Sequence, residues 1–220
     1  AVFCGYEAEA LLTANSPAGR AESRVDEAGR GALAGPLVVA AVILPTNFQS
    51  PFIQDSKILT PQQRNLTYQI IKKNALEYKV IFKSPREIEE KNPLQATKEA
   101  MAEALGSLHN IPNLALVDGK EKITVPGIRT RSIIGGDRKS INIAAASIIA
   151  KVTRDQIMKK LHQKFPHYDW FNNKGYPNQT HLAALFRYGV CDLHRKNYEP
   201  IKSLLNPQIS PEEIVKKYKL

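Results

Sequence analysis

Cysteine and long apolar runs are scarce in this sequence of 220 residues. Its two cysteines, Cys4 and Cys191, are too few and too far apart for a disulfide framework or a zinc site, and the metalloprotease spacing H-E-x-x-H is absent. No apolar run approaches the roughly 20 residues of a membrane-spanning helix, and the N-terminus lacks the basic and then apolar form of a signal peptide. We therefore expect a cytoplasmic protein with no membrane partner.

Negative charge is also in short supply. The chain has 31 Lys and Arg against 21 Asp and Glu, which gives a formal net charge of +10. An excess of this kind favours a polyanionic partner, most simply a nucleic acid. With 43% hydrophobic residues the chain can bury a full core, and we expect one domain with a small appendage.

Two adjacent carboxylates stand directly before the most apolar run of the sequence. Asp26 and Glu27 are followed by the Gly-Arg-Gly sequence of residues 29–31 and then by the run 37–44, which is typical of a buried strand. Neighbouring side chains of a strand point to opposite faces, so Asp26 and Glu27 can both be solvated only if the strand ends there in a cleft. Such a cleft would suit a metal site. The glycines allow a ligand to approach backbone N–H groups, and the guanidinium of Arg30 matches phosphate. A tight hairpin with a surface salt bridge explains the motif equally well.

The order of the predicted elements indicates an open α/β sheet. A strand that is short or begins late precedes Asp26, and two later strands each end at an acid, which is how open α/β sheets build sites. The other predicted strands cover residues 37–44, 77–83, 114–117 and 132–134, the first two lying beside the strand before Asp26. Predicted helices begin at Pro61, Arg86, Pro93, Ala144 and Gln179, with a last helix capped by Ser210. Leu66 and Leu94 are expected on apolar helix faces.

Aspartate occurs only seven times, and three of these residues, Asp26, Asp118 and Asp137, follow predicted strands beside glycine or a glycine-rich turn. With Glu27 they make four carboxylates. Like charges a few ångströms apart repel strongly in a low dielectric, so a pocket of four acids requires cations. Carboxylate oxygens select hard ions, and Mg²⁺ or Mn²⁺ is therefore expected rather than zinc. Taken singly, each aspartate is better explained as a loop-capping residue.

An ordered series of motifs resembles one protein family. The series runs D-E-A-G-R-G, L-A-G-P, D-S-K, V-D-G, G-G-D, A-A-A-S-I-I-A-K-V-T-R-D and K-G-Y-P. In this order it closely resembles type 2 ribonuclease H, or ribonuclease HII, over about Val25–Pro200. The resemblance implies an α/β fold with a ribonuclease H-like mixed sheet flanked by helices. It also implies a catalytic core over residues 21–170 and a small helical C-terminal extension over 171–220 that completes the substrate site. Residues 1–20 carry no motif of the family, and their sequence predicts a short N-terminal helix over 6–12 followed by a loop.

The same resemblance implies an activity. Ribonuclease HII enzymes are endonucleases that hydrolyse the RNA strand of RNA–DNA hybrids and cut on the 5′ side of single ribonucleotides embedded in duplex DNA, a step of ribonucleotide excision repair. Two-metal chemistry with Mg²⁺ or Mn²⁺ would leave 3′-hydroxyl and 5′-phosphate ends. The expected partners are therefore RNA–DNA hybrid and ribonucleotide-containing duplex DNA, and the protein is expected to be a monomer.

Matched motif by motif, the resemblance assigns roles to particular residues. The metal-binding carboxylates of the family fall on Asp26, Glu27, Asp118 and Asp137. The motif that reads the 2′-hydroxyl through backbone groups falls on Gly29, Arg30 and Gly31, and the tyrosine that senses the junction with DNA falls on Tyr176. Basic or polar positions near the substrate fall on Lys57, Ser147, Lys151 and Arg195. Asp155, which ends the motif A-K-V-T-R-D, is expected to be a structural partner of its helix and not a metal ligand.

The chain departs from the family pattern at three places. Arg24 stands where a small residue is usual, Ala32 replaces a common proline, and Asn197-Tyr198 replaces Ser-Phe. Arg24 is expected to disturb the first strand or to pair with one of the acids. Two other classes compete with the nuclease. A non-catalytic nucleic-acid-binding module explains the charge but not four strand-end carboxylates, and a phosphate-binding NTPase lacks the motif G-x-x-x-x-G-K-[ST].

Overall fold

The structure is a computed structural model that describes residues 22–46, 48–50, 52–53, 56, 58–134, 141–210, 213 and 216–217. Three expectations fall outside these residues: the N-terminal helix, the basic position Lys57 and the metal ligand Asp137. In the described ranges, no helix is long and apolar enough to span a membrane.

Five strands of the described chain form one mixed sheet. They are β1 (Glu22–Ala28), β2 (Leu37–Ile43), β3 (Glu77–Lys83), β4 (Leu114–Asp118) and β5 (Arg129–Ile133). Their order across the sheet is β3-β2-β1-β4-β5. Strand β1 pairs with β2 antiparallel and with β4 parallel, and β4 pairs with β5 parallel. The first three strands lie side by side, as the sequence predicts.

Capping side chains mark the start of several helices in the described residues. The side chains of Thr60 and Ser84 each accept a hydrogen bond from the backbone N–H three residues later, and both form capping boxes that stabilise the first turn. The same reciprocal bonds join Ser210 and Glu213 at the predicted last helix. The helices are α1 (Pro61–Asn74), α2 (Pro85–Lys91), α3 (Pro93–Gly106), α4 (Ile141–Lys164), α5 (Trp170–Asn173), α6 (Gln179–Tyr188) and α7 (Ile201–Leu204).

The chain divides into two compact units. The sheet unit contains the described residues of 1–28, 38–82 and 97–152, and the helical unit contains those of 29–37, 83–96 and 153–220. Both units therefore take segments from distant parts of the sequence. This division concerns packing, and the roles expected of residues 21–170 and 171–220 stay a prediction.

In the sheet unit, side chains that alternate along the strands give the sheet two apolar faces. Ala115 and Val117 of β4 pack in one cluster with Leu105 of α3. Leu116 points to the opposite face and packs with Ile143 of α4. Helices therefore flank both faces of the sheet, which confirms the predicted fold class.

Aromatic side chains form the centre of the helical unit. Trp170 and Tyr168 are buried and stack with ring centroids 5.0 Å apart. Leu185 of α6 and Met158 of α4 belong to the same cluster. Helices α5 and α6 have only 4 and 10 residues, lengths that are marginal in isolation, so this apolar packing stabilises them.

Two strands differ from their predicted limits. Strand β5 begins at Arg129 and not at the predicted Ser132. It lies at the edge of the sheet, and its exposed Arg129 and Arg131 alternate with less exposed residues. A strand with one solvated face needs no apolar residue at its outward positions, so an apolar run underestimates its length. Strand β1 is a full strand of 7 residues although its entry is weakly apolar, since it is paired on both sides.

Arg24 is accommodated inside β1. Its side chain is buried, its Nη2 atom lies 2.7 Å from Oε2 of Glu22, and its Nη1 atom donates to the carbonyl of Ser23 at 3.2 Å. Arg24 also keeps its place opposite Val42 in the antiparallel ladder. The expectation that Arg24 disturbs the first strand is therefore wrong, because a carboxylate and a carbonyl in the same strand bind both terminal nitrogens of its guanidinium.

Two leucines expected on apolar helix faces are exposed. They are Leu66 of α1 and Leu94 of α3. In α1 the buried positions are held by Thr67 and Ile71. The Thr67 hydroxyl lies 2.8 Å from the carbonyl oxygen of Gln63 and 3.1 Å from that of Phe52, so a polar side chain with backbone acceptors takes the inward position. Apolar periodicity cannot show this, because it treats threonine as a surface residue.

Candidate active site

The acidic pair Asp26 and Glu27 lies near the end of β1, directly before Ala28, the final residue of the strand. Asp26 is buried, with 6% of its surface exposed, and Glu27 is half-buried. The backbone N–H of Glu27 donates to Oδ1 of Asp26 at 2.7 Å. The side chain of Ser147 on α4 also forms a hydrogen bond with Asp26. Two hydrogen bonds therefore orient this carboxylate.

Strand pairing brings Asp118 to the same face of the sheet. Strands β1 and β4 run parallel with Val25 opposite Val117, and the next residue in each strand is Asp26 or Asp118. Val25 and Val117 share the cluster that contains α3, so both acids point to the other face. The structure therefore places Asp26 and Asp118 together at the carboxyl ends of two neighbouring strands.

The electrostatics of Asp26 reflect this crowding. Burial raises the pKa of Asp26 well above its usual range, and the charges of Glu27 and Asp118 raise it further. Its hydrogen bonds with the Glu27 N–H and Ser147 offset part of this rise in pKa. A divalent cation would relieve the repulsion, and carboxylate oxygens are the ligands that Mg²⁺ and Mn²⁺ prefer.

The metal-ligand set is incomplete in the described part of the chain. There, no group of three or more acidic, histidine or cysteine side chains is already arranged to hold a metal ion. Asp137, the fourth predicted ligand, lies outside the described residues. The fit to a hard cation therefore rests on the oxygen donors and on the raised pKa of Asp26.

Helix α4 supplies two further predicted site residues. Ser147 is buried, and its Oγ atom lies 2.9 Å from Oγ of Ser56, so this side chain supports Asp26 from inside the sheet unit. Lys151 follows one turn later and is half-buried. Asp155 lies inside α4, which continues to Lys164.

The Gly-Arg-Gly turn belongs to the helical unit and follows β1 directly in sequence. Gly29 has φ +92°, a conformation that side chains other than glycine rarely adopt. Around Gly31 the space that a Cβ atom would take is open. The Arg30 side chain is exposed, whereas its carbonyl accepts hydrogen bonds from Nη1 of Arg195 at 2.8 Å and from the hydroxyl of Tyr198 at 2.7 Å.

Arg195 has a different position from the one expected of a substrate-binding side chain. It is 0% exposed, and its Nε and Nη2 atoms donate to the carbonyl of Gly35 at 3.3 and 3.0 Å. The nitrogens of the Arg195 guanidinium all donate to backbone carbonyls, those of Gly35 and Arg30. The expected direct contact between Arg195 and the substrate is therefore corrected: Arg195 holds the loop that carries Arg30. The departure at Tyr198 has a structural reason as well, since its hydroxyl, which phenylalanine lacks, binds the carbonyl of Arg30.

Tyr176 lies at the surface of the helical unit, with 37% of its area exposed. Its ring centroid is 5.1 Å from Cζ of Arg154, and its backbone N–H donates to the carbonyl of Asn173 at 2.9 Å. The preceding residue, Gly175, has φ +80°, and a Cβ atom there would lie 2.5 Å from the carbonyl oxygen of Ala34. Only glycine fits this close backbone approach, which fixes where Tyr176 emerges.

Sequence reasoning missed three residues around these loops. His181 Nδ1 is 3.1 Å from the carbonyl oxygen of Tyr176, and its Nε2 atom is 3.1 Å from Nε2 of His194. Arg154 donates to three backbone carbonyls of the helical unit. All three side chains are buried. Only the motifs H-L-A-A-L, V-T-R-D and H-R-K carry them, and nothing local in those motifs indicates their distant partners.

Comparison with known proteins decides the family. A model of the ribonuclease HII family matches residues 24–200. This chain belongs to the ribonuclease HII family. Ribonuclease HII of Mycoplasma mycoides subsp. mycoides SC is 48% identical over 179 residues, covering 81% of this chain and 86% of that relative. Ribonuclease HII of Bacillus cereus strain AH820 is 48% identical over 181 residues, covering 82% of this chain and 70% of that relative.

The fold agrees with a solved structure. The crystal structure of ribonuclease H2 from Pyrococcus horikoshii OT3 matches with a TM-score of 0.73 and 28% identity, covering 84% of this chain and 96% of that chain. Ribonuclease HII enzymes are metal-dependent endonucleases that cleave the RNA of RNA–DNA hybrids. The chain is therefore an enzyme of this hydrolase class, with the mixed sheet and flanking helices that its motifs predict.

Proposed function

We propose that this ribonuclease HII also cuts on the 5′ side of single ribonucleotides embedded in duplex DNA, and so acts in ribonucleotide excision repair. The observation that carries the catalytic part of the proposal is the buried carboxylate of Asp26 beside the charges of Glu27 and Asp118. Such crowding is unfavourable unless a cation is bound, and it is the arrangement that metal-dependent phosphodiester hydrolysis requires.

Four carboxylates would hold the divalent metal, which is Mg²⁺ or Mn²⁺: Asp26, Glu27, Asp118 and Asp137. Two such ions would supply the chemistry, one an activated water for in-line attack on phosphorus and the other stabilisation of the leaving 3′-oxygen, which would leave 3′-hydroxyl and 5′-phosphate ends. The protein itself keeps Asp26 in one orientation through the Glu27 N–H and Ser147. No side-chain nucleophile takes part.

Recognition of the ribonucleotide is assigned to the helical unit. The 2′-hydroxyl is the group that distinguishes RNA from DNA at a given position, so it must meet fixed donors or acceptors. We assign this role to backbone groups of Gly29, Arg30 and Gly31, and the open space around Gly31 supports a close approach. Tyr176, exposed at a fixed position, would pack on the sugar of the next deoxynucleotide.

Two lysines would bind the phosphates that flank the ribonucleotide, namely Lys57 and Lys151. The net charge of +10 supports electrostatic attraction to a duplex. We propose that the enzyme acts as a cytoplasmic monomer on RNA–DNA hybrid and on ribonucleotide-containing duplex DNA, with residues 171–220 contributing Tyr176 to substrate recognition.

One incubation tests the function. A duplex DNA with one ribonucleotide and a label at its 5′ end is treated with enzyme in Mg²⁺, in Mn²⁺ and in EDTA. We expect a single cut on the 5′ side of the ribonucleotide, with a 3′-hydroxyl on the labelled fragment, in either metal and not in EDTA.

Two controls make the result specific. An all-DNA duplex of the same sequence should stay intact, and a continuous RNA–DNA hybrid should be cut. Cleavage of the hybrid without cleavage at the single ribonucleotide would contradict the proposed repair activity while leaving the family assignment unaffected. Cleavage that persists in EDTA would contradict the metal mechanism.

A further inference from the structure

Arg154 of α4 is a buried cation that the proposed chemistry does not use. It is 0% exposed. Burial of an unused guanidinium is costly, so such a residue requires several well-placed acceptors. Its surroundings connect two segments of the helical unit to which substrate recognition has been assigned.

The guanidinium binds backbone carbonyls from both of these segments. Nε donates to Pro36 at 2.9 Å and Nη2 donates to Ala34 at 3.0 Å, in the stretch that follows the Gly-Arg-Gly turn. Nη1 donates to Lys174 at 2.8 Å, two residues before Tyr176. One planar fork therefore fixes the distance between the turn segment and the tyrosine loop.

Gly29 leaves the room that this guanidinium occupies. A Cβ atom at residue 29 would lie 2.0 Å from Nε of Arg154 and 2.5 Å from its Cδ atom. The first glycine of the Gly-Arg-Gly turn is thus in contact with Arg154 itself. The glycine is required by this packing as well as by its backbone conformation of φ +92°.

Tyr176 completes the arrangement through its ring. The Cζ atom of Arg154 lies 5.1 Å from the ring centroid, within the range of a cation–π interaction, which is stronger when the cation is desolvated. Burial lowers the pKa of Arg154 to about 10, and the guanidinium therefore remains charged at neutral pH. The guanidinium of Arg154 thus contacts the Tyr176 ring, part of which stays exposed to solvent.

We propose that Arg154 is a positioning residue that sets junction specificity by holding the Gly29 turn and the Tyr176 ring at one fixed spacing. The inference rests on the proposed roles of these two elements in reading the ribonucleotide and the next sugar. Arg154 does not touch the substrate. A lysine at this position keeps the charge but cannot reach three carbonyls in a plane or stack flat on the ring.

The test is a ratio of cleavage rates. For wild type and Arg154→Lys, kcat and KM are measured on a DNA duplex with one ribonucleotide and on a continuous RNA–DNA hybrid. We expect Arg154→Lys to lower kcat on the single ribonucleotide roughly 10- to 100-fold more than on the hybrid, with little change in KM, since misplacement of a recognition group is felt in turnover.

A matched control comes from the same unit. Arg187 lies 5.3 Å from the ring of Tyr188, is exposed, and has no part in the proposed site. Arg187→Lys removes a comparable arginine–tyrosine contact and should leave both rates unchanged. If Arg154 were merely structural, Arg154→Lys would lower the melting temperature and reduce both rates in proportion, and an unchanged ratio would overturn the inference.

A double variant separates the inference from the function on which it rests. If Arg154 acts through Tyr176, then Arg154→Lys should change the ratio much less in a Tyr176→Ala background than in wild type. If Tyr176→Ala alone leaves the ratio unchanged, the proposed role of Tyr176 fails. If Tyr176→Ala changes the ratio and Arg154→Lys does not, only the inference about Arg154 fails.

A measurement on wild-type protein covers the case in which Arg154→Lys does not fold. The Nε–H resonance of Arg154 is followed by NMR during titration with uncleaved duplexes in Ca²⁺. We expect it to shift on binding a duplex with one ribonucleotide and not on binding all-DNA duplex, because ordering of the Tyr176 ring changes the ring current at the guanidinium. Equal shifts with both duplexes, or none with either, would overturn the proposal.

Discussion

The Nε2 atoms of His181 and His194 lie 3.1 Å apart in the buried centre of the helical unit. Nε1 of Trp170 donates to the same Nε2 atom of His181 at 3.1 Å, so that atom is an acceptor. His194 then donates from Nε2, and its Nδ1 atom accepts from the backbone N–H of Cys191 at 3.1 Å. Both imidazoles are therefore neutral in the folded protein, and His181 can donate from Nδ1 to the carbonyl of Tyr176.

This histidine pair predicts an acid-sensitive stability. Burial, reinforced by His181, lowers the pKa of His194 from 6.5 to about 3, and burial also lowers that of His181. As the pH falls below 6.5, these histidines therefore bind protons in the unfolded chain but not in the folded protein. The free energy of unfolding should decrease by about 1.4 kcal/mol per pH unit for each histidine that stays neutral.

Urea unfolding at about pH 7 and about pH 5 measures this slope. In His194→Gln the slope should be smaller by about one proton, whatever the variant costs in stability at neutral pH. An identical slope in His194→Gln and wild type would show that His194 is not held neutral.

Glu77 should make the stability of the protein depend on pH in a second way, through an acidic group and not a basic one. Burial alone would raise the pKa of Glu77, but hydrogen bonds from the backbone N–H groups of Asn110 and His109 lower it to about 2. A depressed carboxyl pKa contributes stability above the ordinary value of 4.5, and this contribution is lost as the pH falls towards 2. Glu77→Gln should cost about 1–3 kcal/mol at neutral pH, because one amide oxygen cannot replace both carboxylate oxygens.

Thermal and urea unfolding of Glu77→Gln check this prediction. Glu90→Gln is the control, since Glu90 is an exposed partner of Arg86 on α2 and such pairs contribute little. The difference between wild type and Glu77→Gln should shrink at acid pH, where wild type loses the same interactions. A difference that stays constant down to about pH 3 would contradict the assigned pKa.

The negative charges crowded around Asp26 should lower the stability of the metal-free protein while serving its activity. The raised pKa of Asp26 means that the ionised form is disfavoured in the folded protein, so the contribution of Asp26 to the stability of metal-free wild type should become more favourable as the pH falls, opposite in sign to those of the histidine pair and Glu77. Asp26→Asn removes that charge and should be as stable as metal-free wild type or more so at neutral pH, while cleavage is lost. Mg²⁺ or Mn²⁺ should raise the melting temperature of wild type but not that of the variant.

Melting curves with and without metal test this prediction, with Asp155→Asn as the control. Asp155 also lies in a helix that supports the site, but we assign it no metal. Its variant should keep both the metal-dependent rise in melting temperature and most of the turnover. A strong loss of stability in metal-free Asp26→Asn would show that Asp26 serves the fold and not a metal.

The excess of positive charge predicts binding that weakens steeply with salt. The logarithm of affinity for a hybrid duplex should fall with the logarithm of salt concentration by about 0.9 per phosphate neutralised. Lys151→Gln should reduce this slope by about one and weaken binding to all duplex sequences alike. A salt-independent affinity in fluorescence anisotropy would rule out phosphate contacts as the main source of binding.

Much of the fold follows from local patterns in the sequence. The buried strand β2 is an uninterrupted apolar run, and Thr60 and Ser84 stand before proline with Gln63 and Glu87 in place for capping boxes. Asp118 could be singled out because it follows a short apolar run, and Asp26 and Glu27 because they stand directly before the Gly-Arg-Gly turn and the apolar run of β2. The common face of Asp26 and Asp118 could be inferred only from strand register, which depends on pairing residues far apart in sequence.

What the sequence could not show is which side chains hold the recognition loops. Arg154 binds the carbonyl of Ala34, 120 positions away, and Arg195 binds that of Gly35, 160 positions away. A buried arginine that serves backbone carbonyls carries the same local signature as a surface arginine that binds phosphate. The sequence therefore predicts Arg195 at the substrate, whereas in the structure its guanidinium is fully buried and bonded to the loop that it supports.

The central claim is that strand-end carboxylates hold the metal that cuts beside a single ribonucleotide, and Asp118→Asn tests it most directly. Cleavage and binding of a duplex with one ribonucleotide are measured for the variant and wild type in Mg²⁺. We predict that the variant binds the duplex with nearly wild-type affinity, stays folded and loses cleavage on the 5′ side of the ribonucleotide. Normal Mg²⁺-dependent cleavage by Asp118→Asn would contradict the assignment of this acid and the mechanism built on it.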